Sequence, residues 1–325
     1  MPKKLKKMSF KKYLICGIAL LTVIFLVMSY VHGYAFTHPT ANKSLEIKRT
    51  GMKMPPSEFF KATIMGVRPI RQVQYENPSK YNLSYENVTL KSTDNLSLKG
   101  WLIKSPKSKG TIIMAHGYNG NRGRLDIAKF LNDAGYNILM FDFRGNGESE
   151  GSYISMGYYE ARDILGALQY LKERNFDIDK IYGFGQSMGS AALIFAEEHQ
   201  PSFRGLILES TYTDLYQNAA RRLKSVYGLP KFPFATAITF FGGFSIGVNG
   251  FSISPLKSIH QVNKPVLLIH DSLDDSVSVE DSRLLYDSAN EPKELWIVNN
   301  ANHTSGYDAQ LSEYRTKVIV FLNQT

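Results

Sequence analysis

From residue 111 onward, short apolar runs alternate with helix-like stretches, and this alternation limits the possible folds more than any other feature. The runs are TIIMAH (111–116), YNILMFDF (136–143), KIYGFG (180–185), RGLILES (204–210), KPVLLIH (264–270) and KELWIVN (293–299). Continuous apolar runs of this length are typical of parallel strands that are buried on both faces. Helix-like stretches such as RLDIAKFLNDAG and SAALIFAEEH lie between most of them. The pattern therefore predicts an α/β fold with a mainly parallel sheet.

Two earlier segments, ENVTLKS and SLKGWLIKS, alternate apolar and polar residues. Such alternation predicts a half-buried antiparallel pair, which we expect at the edge of the sheet. A last helix is expected from Tyr307 to Leu322. Between the third-last and second-last strands lie more than fifty residues, and an insertion of that length is usually a lid or a binding segment. We assign residues 212–256 to this lid, with Gly242-Gly243 as a possible hinge.

The N-terminal region carries a predicted membrane anchor. Tyr13–Val31 is nineteen residues without a charge, and as a helix it would measure roughly 28 Å, close to the ~30 Å hydrocarbon core of a bilayer. The basic tail 1–12 predicts a cytoplasmic N-terminus and a body outside the membrane. A cleaved signal peptide is the alternative, but its apolar region would be shorter. Residues 32–80 read as a stalk with one short helix, SEFFKATIMG, and 81–325 as the main domain.

Charge and cysteine content exclude some classes of protein. The net charge of +9 is mostly local, because the six lysines of the tail leave 32 basic against 29 acidic residues in the rest. A nearly neutral body argues against nucleic acid as the main partner. The single cysteine, Cys16, excludes an internal disulfide framework.

The stretch GFGQSMGS (183–190) follows one strand and precedes one helix. It has two readings: a dinucleotide-binding turn, for which Glu209 would be the ribose-binding acid, or a nucleophile elbow of the form G-x-S-x-G. The elbow requires an acid and then a histidine, each after a later strand. Asp274 follows KPVLLIH and His303 follows KELWIVN. The order Ser187, Asp274, His303 therefore favours the elbow.

These residue types suit acyl transfer. A serine hydroxyl needs a base to take its proton, and a neutral imidazole oriented by a carboxylate is such a base. The oxyanion that forms needs N–H donors, which we predict to be those of Met188 and Tyr118. Asp271 and Asp275 are alternative acids. The acidic cluster lacks the D-x-D-x-D-G ladder of a calcium loop, and we predict no metal and no cofactor.

The combination resembles the α/β-hydrolase family, in particular its bacterial branch of serine aminopeptidases, monoacylglycerol lipases and related esterases. The matching pieces are AHGYNGNR, FDFRGNGESEG, GFGQSMGS, SPLKSIHQVNKPVLLIH, the step from Asp274 to Val277, and NHTSGY. The resemblance covers about residues 84–323. It implies an eight-stranded sheet with helices on both faces and a small helical lid. It also implies that Asp142 and Arg144 brace a turn, and it marks Asp271 as unusual where glycine is common.

The expected function is a serine hydrolase that cleaves carboxylic esters with an apolar acyl group such as that of a lipid. The lid run FPFATAITFFGGFSIGVNGF holds six phenylalanines and no charge, and apolar lining binds acyl chains through buried area. These side chains could equally pack the lid onto the body. Two alternatives stay open: a serine peptidase, for which Glu209 or Asp214 could grip a substrate amine, and a non-catalytic binding protein with the same fold.

Overall fold

The structure is a computed structural model that describes residues 10–41, 56–74 and 76–325. Most of the basic tail and part of the stalk therefore lie outside the described residues. The strands are β1 (Tyr85–Lys91), β2 (Ser97–Ile103), β3 (Thr111–Ala115), β4 (Asn137–Phe141), β5 (Ile181–Gln186), β6 (Gly205–Glu209), β7 (Val266–Asp271) and β8 (Lys293–Val298). Each apolar run of the sequence forms a strand within one or two residues of its predicted bounds.

All eight strands join one sheet in the order β1-β2-β4-β3-β5-β6-β7-β8. The pairs β1–β2 and β2–β4 are antiparallel, and the pairs from β4 to β8 are parallel. This confirms the predicted antiparallel edge and mainly parallel sheet. In parallel sheets ligands bind outside the carboxyl ends of the strands. The carboxyl ends of β5 to β8, named here the carboxyl edge, are therefore the place to examine for a site.

The helices are α1 (Phe10–Thr37), α2 (Pro56–Met65), α3 (Leu125–Asp133), α4 (Glu160–Glu173), α5 (Met188–His199), α6 (Leu215–Tyr227), α7 (Thr236–Ser245), α8 (Pro255–Ser258), α9 (Val279–Ser288), α10 (Gly306–Ala309) and α11 (Leu311–Gln324). Helices α4, α5 and α9 cover one face of the sheet, and α3 and α11 cover the other. Neighbouring residues Ile138 and Leu139 of β4 accordingly lie in opposite apolar layers, both fully buried. Burial of both faces explains why the strand sequences are continuously apolar.

The last helix differs from its prediction. Instead of one helix from Tyr307 to Leu322, the chain forms α10 and α11, separated by Gln310 in a non-helical conformation. The Gln310 side chain donates to the carbonyl of Asn299, with Nε2 and O 3.0 Å apart. Tyr307 and Tyr314, on either side of the break, pack edge to face. The break brings both rings into the core, which a single straight helix need not do.

The lid is helical, as predicted. It consists of α6, α7 and α8, with a single π-type turn at Lys231–Ala235 and a short 3-10 turn at Gly250–Ser252. Asp214 caps the start of α6 by accepting the N–H of Gln217, and Gly228 ends the helix in a left-handed conformation. The lid carries its own small apolar cluster around Ala220, Leu223 and Ala235.

Helix α1 is longer than the predicted span. It is long and apolar enough to cross a membrane, a property compatible with a signal anchor or with a signal sequence. It continues six residues past Val31 to Thr37, because its last turns pack against the lid. There Gly33 lies against Gly242, and the hydroxyls of Thr37 and Ser245 are 3.0 Å apart.

Candidate active site

Ser187 sits between the end of β5 and the start of α5. Its φ is 53° and its ψ is −114°, an unusual conformation for a residue other than glycine. The Ser187 N–H donates to the carbonyl of Glu209 at 2.8 Å, which ties the turn to β6. A serine held in a strained turn between strand and helix is the geometry of a nucleophile elbow.

The two glycines of G-x-S-x-G are required by close backbone approach. A Cβ at Gly185 would lie 2.6 Å from the N of Ser190. A Cβ at Gly189 would overlap the carbonyl of Ala115 at the end of β3. Helix α5 can therefore start directly against the sheet only because both positions lack a side chain.

This packing also bears on the dinucleotide reading. The space beside Gly189 holds the backbone of Ala115, and the Glu209 carboxylate is fully buried. Its Oε2 accepts the amide of Gln186 at 2.7 Å and the hydroxyl of Tyr314 at 3.0 Å. Neither feature leaves room for a pyrophosphate or a ribose. The geometry favours the elbow.

Asp274 follows β7 and is held by the backbone of its own loop. Its Oδ1 accepts the N–H of Ser276 at 2.8 Å and that of Val277 at 2.9 Å. Its Oδ2 lies 2.6 Å from Nδ1 of His303. Burial raises the pKa of Asp274, but the hydrogen bond with His303, the charge of that imidazole and the Val277 N–H together outweigh burial and hold the pKa below the ordinary value. The carboxylate is therefore ionised and fixed against the imidazole.

His303 lies on the loop that follows β8, and this loop folds back over the carboxyl edge. Arg124 donates to the carbonyl of Thr304 at 3.2 Å. A Cβ at Gly306 would lie 2.8 Å from Oδ1 of Asp271 and 3.2 Å from Oε1 of Glu209. The loop thus crosses the ends of β7 and β6 toward β5. Within the described chain, neither the Ser187 hydroxyl nor Nε2 of His303 has a hydrogen-bond partner, so both are available to a substrate.

Asp271 does not contact His303. Its carboxylate is fully buried and accepts the Ser210 hydroxyl at 3.1 Å and the Ser305 N–H at 3.2 Å. Burial, reinforced by the negative charge of Glu209, raises the pKa of Asp271 to about 8. This acid supports the loop of His303 from below, whereas Asp275 is partnered only by the neighbouring Ser276 hydroxyl. No group of three or more potential metal-ligating side chains occurs in the parts of the chain that the structure describes.

His270 packs behind Asp274, and sequence reasoning missed it. Its Nε2 lies 3.2 Å from the carbonyl of Val277 and 3.7 Å from Oδ2 of Asp274. Its Nδ1 lies 2.6 Å from the Ser282 hydroxyl. Burial lowers the pKa of His270, so the ring is neutral at pH 7. A histidine in the last positions of a buried strand is an ordinary core residue, and only the fold shows that it backs the acid.

The two residues predicted to donate N–H groups to the oxyanion, Met188 and Tyr118, belong to segments next to Ser187. Met188 is the first residue of α5, where N–H groups have no partner within the helix. The loop of Tyr118 is next to it, since a Cβ at Gly117 would lie 3.4 Å from Cβ of Ser187. His116 shapes this loop: its Nε2 accepts the N–H of Phe143 at 3.0 Å, and its Nδ1 therefore donates to the carbonyl of Gly117 at 2.8 Å.

The side chain of Tyr118 connects this loop to α1. Its ring stacks on Phe36 with centroids 5.0 Å apart, and its hydroxyl donates to the carbonyl of Phe36 at 2.7 Å. Nothing in the sequence patterns links residues 82 positions apart, so this contact was missed as well. The end of the apolar N-terminal helix is thereby in direct contact with the loop beside the serine.

The turn after β4 is braced by buried ion pairs. Asp142 accepts the backbone N–H of Arg122 at 2.9 Å and pairs with its guanidinium. Arg144 donates to Asp163 at 3.0 Å and to Asp94 at 2.8 Å. These side chains are occupied within the protein and contact none of Ser187, Asp274 and His303.

The fold and this edge can be compared with known proteins. The family model described as serine aminopeptidase, S33 matches residues 106–233. The uncharacterised protein YqkD of Bacillus subtilis is 32% identical over 231 residues, which are 70% of this chain and 75% of that protein. The chain belongs to the α/β-hydrolase family.

Other members of the α/β-hydrolase family extend the comparison. The structure of the Pyrococcus furiosus esterase Pf2001 has a TM-score of 0.68 and 28% identity, covering 79% of this chain and 97% of that one. Lysophosphatidylserine lipase ABHD12 of Danio rerio is 29% identical over 210 residues, which are 60% of this chain and 51% of that protein. The chain is thus an α/β hydrolase related to esterases and lipases.

Proposed function

We propose that this chain is a membrane-anchored serine hydrolase that cleaves carboxylic esters with an apolar acyl group. One observation carries the proposal: His303 and Asp274 are 2.6 Å apart on the same carboxyl edge that presents Ser187 in a strained elbow. The three residues come from three separate strand ends. Their order along the chain and the contact between the acid and the histidine support a Ser-Asp-His triad.

The reaction follows from these positions. Nδ1 of His303 donates to Asp274, which leaves Nε2 as the basic nitrogen that takes the Ser187 proton. The Ser187 oxygen attacks the ester carbonyl, and the N–H groups of Met188 and Tyr118 stabilise the oxyanion. His303 then protonates the departing alcohol, and an acyl-enzyme remains on Ser187. A water molecule activated by the same nitrogen releases the acid and restores the serine.

The proposed acyl group is apolar because the segment between β6 and β7 forms an apolar lid. The lid carries six phenylalanines between residues 232 and 251 without a charge. Such a surface favours hydrocarbon over polar peptide. The names of two relatives, an esterase and a lysophosphatidylserine lipase, support ester substrates.

The proposed location is a cell membrane, with the hydrolase body on the extracytoplasmic side. Tyr13–Val31 lies within α1, and lysines precede it. Contacts of Gly33 and Thr37 with the lid support an uncleaved anchor, since cleavage after the apolar run would separate these contacts from the span. Protease added to intact cells should remove the body and spare the tail. A protected body would reverse the orientation.

A peptidase is the second candidate, because the matching family model is described as a serine aminopeptidase. An aminopeptidase needs a free acid to hold the substrate amine. Glu209 is buried and bonded to Gln186 and Tyr314, and Asp214 caps α6. Both acids suggested by the sequence are thus engaged, which weakens this candidate relative to the esterase.

The test combines labelling with a substrate series. Wild-type protein should react with a fluorophosphonate probe, and Ser187→Ala should abolish labelling and lower turnover by several orders of magnitude. Among p-nitrophenyl esters, butyryl and octanoyl should react faster than matched aminoacyl amides. Faster amides would establish the peptidase. Absence of labelling in the folded wild type would favour a binding protein that lacks catalysis.

A further inference from the structure

The length of α1 sets how deep the lid lies if the helix spans a bilayer. A hydrocarbon core of ~30 Å takes about 20 helical residues. Counted from Tyr13, after the last lysine, this stretch ends at His32. Phe25 packs edge to face on Phe234 and Tyr30 on Phe241, with ring centroids 5.6 and 5.9 Å apart. These lid contacts therefore fall within the hydrocarbon layer and not above it.

The outer surface of α7, one helix of the lid, is suited to that depth. Helix α7, TAITFFGGFS, has no charged residue. Phe240 is 53% exposed and Phe244 is 68% exposed, and their rings stack with each other. Exposed neighbouring phenylalanines are unfavourable in water but favourable among acyl chains. Continuity with the apolar surface of α1 identifies the bilayer as the layer that covers them.

Helix α2 lies beside α1 and adds further exposed apolar side chains. The Nε2 atom of His32 lies 2.8 Å from the carbonyl of Thr63, which fixes α2 against the anchor. Phe60 and Met65 on α2 are largely exposed. The anchor thus leaves the body beside two helices, α2 and α7, that each expose large apolar side chains.

A cavity lies between α1, α6 and α7. Most of its lining is apolar, with Phe36, Leu223 and Ile246 from the three helices. Ser187, Asp274 and His303 do not line it. Phe36 nevertheless stacks on Tyr118, whose loop adjoins Ser187, so the cavity and the serine lie on either side of one aromatic pair.

We propose that this cavity holds the acyl chain of a bilayer lipid, and that the chain enters sideways because the lid is immersed in the leaflet nearest the body. This inference rests on the proposed function, since it assigns a place to the acyl group of the ester. The Phe36–Tyr118 pair lies between the bound chain and the reacting carbonyl. Movement of that pair would open the path to Ser187.

The depth of the lid is measured by fluorescence quenching in the full-length protein. Both native tryptophans, Trp101 and Trp296, are buried in the body and provide a constant background. In phosphatidylcholine vesicles with brominated acyl chains, Phe244→Trp should be strongly quenched. Ile178→Trp is the matched control, because Ile178 is also an exposed apolar residue but precedes β5 at the opposite edge of the sheet. It should not be quenched.

Two outcomes would overturn the immersion of the lid. One is equal quenching of the two variants. The other is an unquenched Phe244→Trp in a protein that is dimeric, which would assign the surface to a second copy of the chain.

The cavity is tested by filling it. Ala219→Phe adds a ring to the wall formed by α6, and Ile246→Trp does so from α7's end. Each methylene excluded from an apolar site is worth roughly fourfold. Octanoyl ester hydrolysis should therefore fall at least about tenfold, while acetyl ester hydrolysis and fluorophosphonate labelling persist. Leu284→Phe, at an exposed site on α9, is the control for added bulk.

The outcomes separate this inference from the proposed function. Unchanged octanoyl hydrolysis in both filled variants, with labelling intact, would overturn the cavity assignment and leave the hydrolase standing. Loss of labelling in one variant would show a folding defect, and the other variant would then decide. No labelling of the wild type would remove the proposed function itself.

Discussion

The carboxyl edge of the sheet and the interface between α1 and the lid are held by different kinds of contact. At the carboxyl edge the important contacts are directional hydrogen bonds, such as those from Gln186 to Glu209 and from His303 to Asp274. Between α1 and the lid, the contacts are a close approach of Gly33 to Gly242 and a series of aromatic pairs. The first region is polar and buried in protein, and the second is apolar and open to its surroundings.

The two regions therefore differ in what they require from their environment. Directional hydrogen bonds in a buried site are satisfied within the protein and fix the geometry in any solvent. Apolar surface such as Phe244 is stable only when something apolar covers it. The carboxyl edge therefore depends on its own residues, whereas the lid depends on the membrane as well.

The largest effect on turnover is expected from replacing one of the two acids at the end of β7, Asp274 and Asp271. Asp274→Asn should lower kcat by about 10⁴-fold, because an amide cannot hold the imidazole in the tautomer that leaves Nε2 basic. Asp271→Asn should lower kcat less than tenfold, since Asp271 contacts Ser210 and Ser305 and not His303. Steady-state kinetics on a soluble ester measures both. A larger loss of kcat in Asp271→Asn than in Asp274→Asn would show that Asp271, and not Asp274, is the catalytic acid.

The same pair of acids should differ in the pH dependence of stability. The pKa of Asp271 rises to about 8 in the folded protein from an ordinary value near 4, so the folded state keeps a proton that the unfolded state has lost. Its contribution is fully present below about pH 4, and it is lost as the pH rises to about 8. The slope is at most about 1.4 kcal/mol per pH unit. Glu209, whose pKa burial also raises, adds to the wild-type slope.

Denaturant unfolding at pH 5 and pH 8 checks this effect in the detergent-solubilised full chain. Asp271→Asn should flatten the decline in the free energy of unfolding relative to wild type. Asp274→Asn serves as the matched control, because the pKa of Asp274 is lowered and its contribution is lost only in acid. Parallel pH profiles for wild type and Asp271→Asn would show that the buried carboxyl does not keep its proton.

The sequence predicted the sheet and its turns more accurately than the contacts between α1 and the lid, because the two depend on different kinds of constraint. The strand and helix alternation predicted the sheet, because burial of both strand faces leaves a continuous apolar run. Gly185 and Gly189 marked the elbow, because only residues without a Cβ fit there. Such local requirements appear in the sequence as patterns of neighbouring residues. The roles of Ser187, Asp274 and His303 stay predictions, and Ser187→Ala and Asp274→Asn test the first two.

Contacts between distant segments could not be predicted in this way. The contact of Tyr118 with Phe36 joins segments far apart in the chain, and neither residue belongs to a recognisable motif. The continuation of α1 to Thr37 depends on packing against the lid, which the end of the apolar run at Val31 does not indicate. The sequence indicates only that His270 is a core residue, and the structure shows that it packs behind Asp274. These features follow from tertiary packing, to which residue patterns are insensitive.

A smaller effect is expected at the close approach between α1 and the lid. A Cβ at Gly33 would lie 2.5 Å from the backbone N of Gly242, whereas a Cβ at Gly242 would meet its nearest atom at 3.4 Å. Gly33→Ala should therefore destabilise the docking of α1 by about 1–3 kcal/mol. Gly242→Ala should be neutral or stabilising by up to about 1 kcal/mol, because alanine favours helix.

Limited proteolysis of the lid and thermal unfolding in detergent measure this asymmetry. Gly33→Ala should expose the lid to protease at a lower temperature than wild type, and Gly242→Ala should not. Equal effects of the two substitutions would mean that the helices do not pack in this register.

The smallest expected effect concerns the contact that links the two regions. Tyr118→Phe removes the hydrogen bond to the carbonyl of Phe36, which lies at the end of α1 where carbonyls lack partners within the helix. Loss of one such bond costs about 0.5–1.5 kcal/mol, so kcat on a soluble ester should fall less than about tenfold. The ring and its stacking on Phe36 remain.

If the docking of α1 positions the oxyanion loop through this bond, Tyr118→Phe and Gly33→Ala act on the same contact. The double variant should then lose less than the sum of the two single losses, by more than the ~0.5 kcal/mol within which independent sites add. Additive losses in kcat would show that the anchor and the catalytic serine are independent, and that α1 serves only to hold the protein at the membrane.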